Sequence, residues 1–144
     1  MLIIGCGNLQ RGDDAAGVLV AQRLLPRGLN VKVCSGEATE LMELWRGVDE
    51  VIVIDAVVTG ADVGTIHEWD GAILPRVSKV SGSTHGFGVG EAIALSQSMG
   101  SLPPRLRVFG IEGRSFEIGG TMSVEVMRAV GMVVARVAEI KDGG

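Results

Sequence analysis

The chain has 144 residues, 47% of them hydrophobic and 21% charged, with a formal net charge of -4. That length supports one domain over residues 1–144 with a core of its own, and the composition excludes a disordered chain. Acidic balance and scattered Lys and Arg argue against a nucleic-acid surface, and apolar runs broken by Arg23, Asp55 or Gly131 fall far short of the roughly 20 residues a membrane span needs.

Residues 1–4 are an apolar strand without polar alternation, as expected of a strand covered on both faces. Next comes GCGNLQRGDDAAG, residues 5–17, with Asp13 and Asp14 where the strand hands over to a helix. A carboxylate there gains from the helix dipole and can cap backbone N–H groups, which accounts for one aspartate but not readily for two beside a glycine-rich turn. The spacing predicts a helix over 15–26 with Val18, Leu19, Ala21, Leu24 and Leu25 apolar, closed near Pro26 and Gly28. Residues 30–34 form a second, more polar strand that belongs nearer a sheet edge. Thr39 is placed to cap a helix carrying Leu41, Leu44 and Trp45, which Gly47 ends.

The clearest strand is VIVID, residues 51–55, whose branched apolar run fits the centre of a parallel sheet. Ligands of open α/β sheets gather outside the carboxyl ends of the strands, which makes Asp55 a candidate. The strand over 65–69 follows too closely for a crossover helix and is predicted to run antiparallel, with His67 on its face. Residues 71–86 form the longest irregular segment and end in STHG before a helix over 88–99 that Ser83 or Thr84 can cap. His85 thus stands at a helix N-terminus, where the dipole favours the neutral imidazole that binds metals. A last core strand over 106–111 leads to Glu112. The closing helix, 123–140, has Ser123 as cap and Met127, Val130, Val134 and Val137 as its inward stripe. Cys6 and Cys34, the two cysteines, form no CxxC pair and read as packed thiols rather than a disulfide framework or zinc ribbon.

If strands one, three and five are neighbours, Asp14, Asp55, Glu112 and the His85 loop project from one edge. Two carboxylates and an imidazole suit first-row cations such as nickel and zinc, and the lack of a cysteine among them argues against a closed structural site. Neither HExxH nor a GxSxG elbow is present. A nucleotide-binding module is the rival: Gly5-Cys6-Gly7 opens like a dinucleotide fingerprint, with Glu37 as ribose partner, but Gln10 stands at the third glycine position and the helix begins late. A metal-sensing module without protease activity would use the same three residues.

Four blocks, GCGNLQRGDDAAG, VIVIDAVVTGADVGTIHEWD, STHGFGVGEAIAL and RLRVFGIEGRSFEIGGTMS, resemble in this order the hydrogenase maturation endopeptidases, which finish the large subunit of nickel–iron hydrogenases. The resemblance covers almost the whole chain. It implies a three-layer α/β/α sandwich around a five-stranded, mostly parallel sheet with one antiparallel strand, in agreement with the reading of residues 65–69. It also implies a metal-binding trio, which falls on Asp14, Asp55 and His85; the same three are the candidate catalytic residues. The implied activity is removal of a short C-terminal peptide from the large-subunit precursor after nickel insertion. Nickel would then be carried by the substrate, with no tightly bound cofactor of the protein's own. A cytoplasmic monomer is expected, with the precursor as partner and neither nucleic acid nor membrane. The chain departs from the family pattern at Gly36-Glu37-Ala38-Thr39, where many members carry Asp-Gly-Gly-Thr, at Ala15, and at Gly113, where proline is frequent. Glu112 and Asp13 stand as possible bases or structural groups.

Overall fold

Apolar side chains on the central strands alternate between two helical layers, as the two-residue period of a strand requires. The computed structural model describes residues 1–75, 77 and 87–143. In chain order its elements are β1 (Leu2–Cys6), α1 (Ala16–Leu24), β2 (Val31–Cys34), α2 (Ala38–Trp45), β3 (Glu50–Val57), β4 (Ile66–Asp70), α3 (Gly88–Ser98), β5 (Arg105–Glu112) and α4 (Val124–Gly143). Short 3₁₀ turns occupy Gly12–Ala15, Leu25–Arg27 and Gly71–Ile73.

The five strands form one sheet in the order β2-β1-β3-β5-β4. All pairs are parallel except β4 with β5, which run antiparallel with His67 opposite Gly110. On one face Leu2, Ile4, Val51 and Val53 pack with Leu41 and Trp45 of α2 and with Val89 and Ile93 of α3. On the other, Ile3, Ile52 and Ile54 meet Val20 and Leu24 of α1 and the valines of α4. The fold is therefore the three-layer α/β/α sandwich, with β3 at its centre and the more polar β2 at an edge.

Several local expectations shift. The third strand does not end at Asp55 but continues to Val57, because β5 keeps pairing with it after β1 has stopped at Gly5 opposite Ile54. Thr39 is not the cap of α2, which begins one residue before it, at Ala38 after Glu37. The inward stripe of α4 is Val126, Val130, Val133, Val134 and Val137, and Met127 is 48% exposed. Val126 lies four residues before Val130 and so shares its face, whereas Met127 is rotated toward solvent. Leu25 likewise leaves the core, since the chain tightens into a 3₁₀ turn there. Helix α3 starts at Gly88 after Phe87, too late for residues 83 or 84 to cap it; both of those lie outside the described residues.

Candidate site at the carboxyl edge of the sheet

The expected neighbourhood of strands one, three and five is present as β1-β3-β5. From β1 the chain goes through α1 on one face to β2, then returns through α2 on the other face to β3. The connections thus part between β1 and β3, and the carboxyl ends of these strands are the place where open α/β sheets hold ligands.

Two glycines set how closely α1 approaches these strands. A β-carbon on Gly17 would lie 2.3 Å from the Ile54 carbonyl oxygen and 2.4 Å from that of Cys6, and one on Gly5 would lie 2.3 Å from the Gly17 carbonyl oxygen. Helix backbone therefore rests directly on strand backbone. The turn before it is equally tight: Gly7 has φ +135°, and a β-carbon there would sit 1.9 Å from the Asp14 carbonyl oxygen. Asn8 N–H donates to that carbonyl at 3.2 Å, and Asp14 N–H donates to the Arg11 carbonyl at 3.0 Å. The glycine-rich turn holds the Asp14 backbone against the end of β1.

The two adjacent aspartates differ in what surrounds their side chains. Asp13 is fully buried and accepts from Ser123 N–H at 2.7 Å, Ser123 Oγ at 2.8 Å, Arg114 N–H at 2.8 Å and Ser115 N–H at 3.2 Å. Burial alone would raise its pKa, but the donors from Ser123, Arg114 and Ser115 outweigh that and hold it below the ordinary value. Asp13 is a structural clasp joining the first turn to the loop before α4. The Ser123 hydroxyl, expected to cap α4, serves Asp13 instead, while its carbonyl accepts from Met127 N–H.

Glu112 is a second clasp. It is 1% exposed and accepts from Thr59 Oγ1 at 2.6 Å and Thr59 N–H at 2.7 Å, with His67 Nε2 at 3.1 Å. Burial would raise its pKa, yet the bonds from Thr59, then His67 and Gly60, leave it lowered. His67 also stacks on Trp69, centroids 4.7 Å apart. It is a strand-face histidine, as expected, and it also helps tie the β3–β4 connection to the end of β5.

Asp14 and Asp55 are set differently. Asp14 is 8% exposed, and its Oδ1 lies 3.6 Å from where a Gly7 β-carbon would be. Asp55 is 1% exposed and accepts from Ala56 N–H through Oδ1 at 2.8 Å. Its Oδ2 lies 3.7 Å from the β-carbon position of Gly36, and the β-carbon position of Gly88 is 1.9 Å from the Gly36 carbonyl oxygen. The ends of β1, β2 and β3 and the first turn of α3 thus converge, with Gly7 N–H donating to the Cys34 carbonyl at 3.0 Å between them. His85, three positions before Gly88, lies outside the described residues. Among the described residues no group of three His, Cys, Asp or Glu side chains is arranged to hold a metal ion.

Cys6 and Cys34 are register partners on β1 and β2, both buried, with sulfurs 3.5 Å apart. The Cys6 thiol lowers the pKa of Cys34; burial raises it, the Gly36 N–H lowers it, and the Glu40 and Asp55 charges raise it, with a lowered value as the balance. The two cysteines are packed thiols, as the sequence suggests, but the sequence does not signal that they meet, nor that Thr59 and Ser123 are partners of Glu112 and Asp13. Isolated serines, threonines and cysteines carry no spacing signal.

Fold and site define a doubly wound α/β protein whose carboxylates collect at the carboxyl edge of the sheet. Residues 19–140 match the model of the hydrogenase maturation protease family HycI. A Methanocaldococcus jannaschii protein assigned to the hydrogenase maturation proteases is 33% identical over 90% of this chain and 88% of its own. The hydrogenase 2 maturation protease of Escherichia coli is 28% identical over 88% of this chain and 82% of its own. Among solved structures, the hydrogenase maturating endopeptidase HybD of Escherichia coli superposes with a TM-score of 0.78 at 22% identity, covering 99% of this chain and 93% of that one. The HycI protease of Thermococcus kodakarensis superposes at 0.65 with 26% identity, over 96% and 90%. The chain belongs to the hydrogenase maturation protease family, and is thereby a peptidase. No helix among the described residues is long and apolar enough to cross a membrane.

Proposed function

We propose that this protein removes the C-terminal extension of a nickel–iron hydrogenase large-subunit precursor after nickel insertion, with Asp14, Asp55 and His85 recognising the nickel. The observation that carries the reading is the convergence of two buried carboxylates, Asp14 and Asp55, at the carboxyl ends of β1 and β3, the switch point of the sheet. Asp13 and Glu112 are saturated by donors from the protein itself. Asp14 and Asp55 lie beside glycine backbone at the ends of β1 and β2, where Gly7 and Gly36 place no side chain against them. Hard carboxylate oxygens and an imidazole would complete the coordination of an ion that the precursor already holds. His85 is the third member by its position in the sequence, three residues before Gly88, whose backbone abuts Gly36 beside Asp55. The protein would then carry no tightly bound metal of its own, because the ion arrives and leaves with the substrate. It would act as a cytoplasmic monomer whose partner is the precursor.

The test is intact mass spectrometry of a large-subunit precursor incubated with the protein, with nickel loaded and with nickel absent. Loss of a C-terminal peptide only from the loaded precursor is expected. Cleavage regardless of nickel would discard the recognition step. An Asp55→Ala variant that still cleaves at the native rate would overturn the trio.

A further inference from the structure

We propose that Cys6 and Cys34 form a reversible dithiol–disulfide couple beneath the candidate site, closed by a low-molecular-weight disulfide and reopened by thiols, and that closure slows cleavage. The last clause rests on the reading above; the couple itself does not.

The geometry is that of a pair ready to bridge. Cys6 and Cys34 are directly opposed on neighbouring parallel strands, and their side chains enter the same layer, between the sheet and helices α2 and α3. Neighbouring strands lie about 4.8 Å apart, inside the roughly 4.4–6.8 Å range of Cα separations that disulfides accept. The sulfurs are 3.5 Å apart. A bond of about 2.05 Å therefore asks for a closing movement of roughly 1.5 Å, shared between side-chain rotation and a small approach of the two strand ends. The chain has two cysteines in all, so no other intramolecular pairing competes.

Access favours one of the two as the point of attack. Cys34 is 7% exposed, on an edge strand between exposed Val33 and Ser35, whereas Cys6 is fully buried. With oxidised glutathione as oxidant, the Cys34 thiolate attacks one glutathione sulfur, giving a mixed disulfide and releasing one glutathione thiolate. The Cys6 thiolate then attacks Cys34 Sγ, the Cys6–Cys34 bond forms, and the second glutathione leaves as a thiolate. The protein gives up two protons and two electrons; the oxidant becomes two thiols.

Closure would act on the site through short contacts. The Cys34 carbonyl accepts from Gly7 N–H, whose residue underlies Asp14. The β-carbon position of Gly36 is 3.6 Å from Cys6 Cβ and 3.7 Å from Asp55 Oδ2. Drawing the two sulfurs together thus shifts the backbone shelf under both aspartates. Misplacement by about 1 Å can cost a reaction 100-fold, so closure is expected to slow cleavage roughly 10- to 100-fold.

The experiment equilibrates the full chain with oxidised and then reduced glutathione, and follows intact mass, disulfide-linked peptides and cleavage of the nickel-loaded precursor. Expected are a mass lower by two hydrogens, a Cys6–Cys34 linked peptide, slowed cleavage, and recovery of all three in reduced glutathione. Cys34→Ser and Cys34→Ala should retain cleavage in oxidised glutathione, and the pair guards against one of them failing to fold. Thiols that persist, glutathione adducts that never resolve, or a disulfide that leaves cleavage unchanged would each overturn the proposal. If the reduced protein cleaves no precursor, the protease reading falls on its own. The couple is then judged by mass and by slowed hydrogen exchange at the Gly7 and Gly36 amides, and unaltered exchange in the oxidised form would overturn the link to the site.

Discussion

Replacing Asp13 by alanine should unfold the protein far more readily while leaving its folded form able to cleave. The carboxylate is fully buried and accepts from three backbone N–H groups and one hydroxyl, at 2.7 to 3.2 Å. Alanine leaves the Arg114, Ser115 and Ser123 N–H groups without that acceptor, whereas the Ser123 hydroxyl can rotate to another. Each buried donor left unsatisfied costs about 1–3 kcal/mol, so a loss of about 3–6 kcal/mol is expected once partial water entry is allowed for. A chain of this size has about 7–15 kcal/mol in total, and the melting temperature should fall by roughly 10–20 °C. Urea unfolding followed by circular dichroism measures the loss, and precursor cleavage at low temperature measures what the folded fraction still does. Asp14→Asn, by contrast, should lose cleavage in the fraction that is folded. An Asp13→Ala protein within about 1 kcal/mol of the parent that has nevertheless stopped cleaving would refute the division of roles.

Glu112→Gln should cost about 2–4 kcal/mol, because one of its two acceptor oxygens becomes an NH₂ group facing the Thr59 and His67 donors; chemical denaturation reads this, and near-native stability would mean that the clasp does little. Asp13 and Glu112 both have folded pKa values below their ordinary ones. Their stabilisation is therefore complete above the unfolded carboxylate range near pH 4–4.5, and is lost as pH falls through the depressed values. Melting temperature should hold level above about pH 5 and drop below it, with a shallower acid limb in Asp13→Asn. Gly17→Ala, whose methyl would meet the Ile54 and Cys6 carbonyls at 2.3 and 2.4 Å, should lose about 3 kcal/mol or fail to fold, as judged by thermal unfolding.

What the sequence made legible is what depends on short spacing. The run of branched residues before Asp55 marked the central strand. The short interval before residue 65 marked the antiparallel one, since a parallel return has no room there. The closing helix was legible as a helix, but its stripe was set one residue off at its start, because Val126 and Met127 are both apolar and only packing against β3 and β5 separates them. Asp13 and Asp14 could be marked as a pair but not told apart by position alone. The donors that claim Asp13 lie 101 to 110 residues away, and those that claim Glu112 lie 45 and 53 away. Partners at such separations are set by the fold as a whole, and no local pattern announces them.

Proximity at one sheet edge does not make four carboxylates equivalent. A carboxylate surrounded by fixed donors is held ionised, but its oxygens are already directed; taking it over for a ligand means leaving buried N–H groups unpaired. That argument removes Asp13 and Glu112 from the candidate chemistry even though each lies beside it. It also gives them a reason to be there, since Asp13 ties the turn carrying Asp14 to the loop before α4 and Glu112 ties the connection beyond Asp55 to β5. The two saturated carboxylates hold in register the two segments on which the other pair is carried, so weakening either clasp should loosen the site before it changes its chemistry.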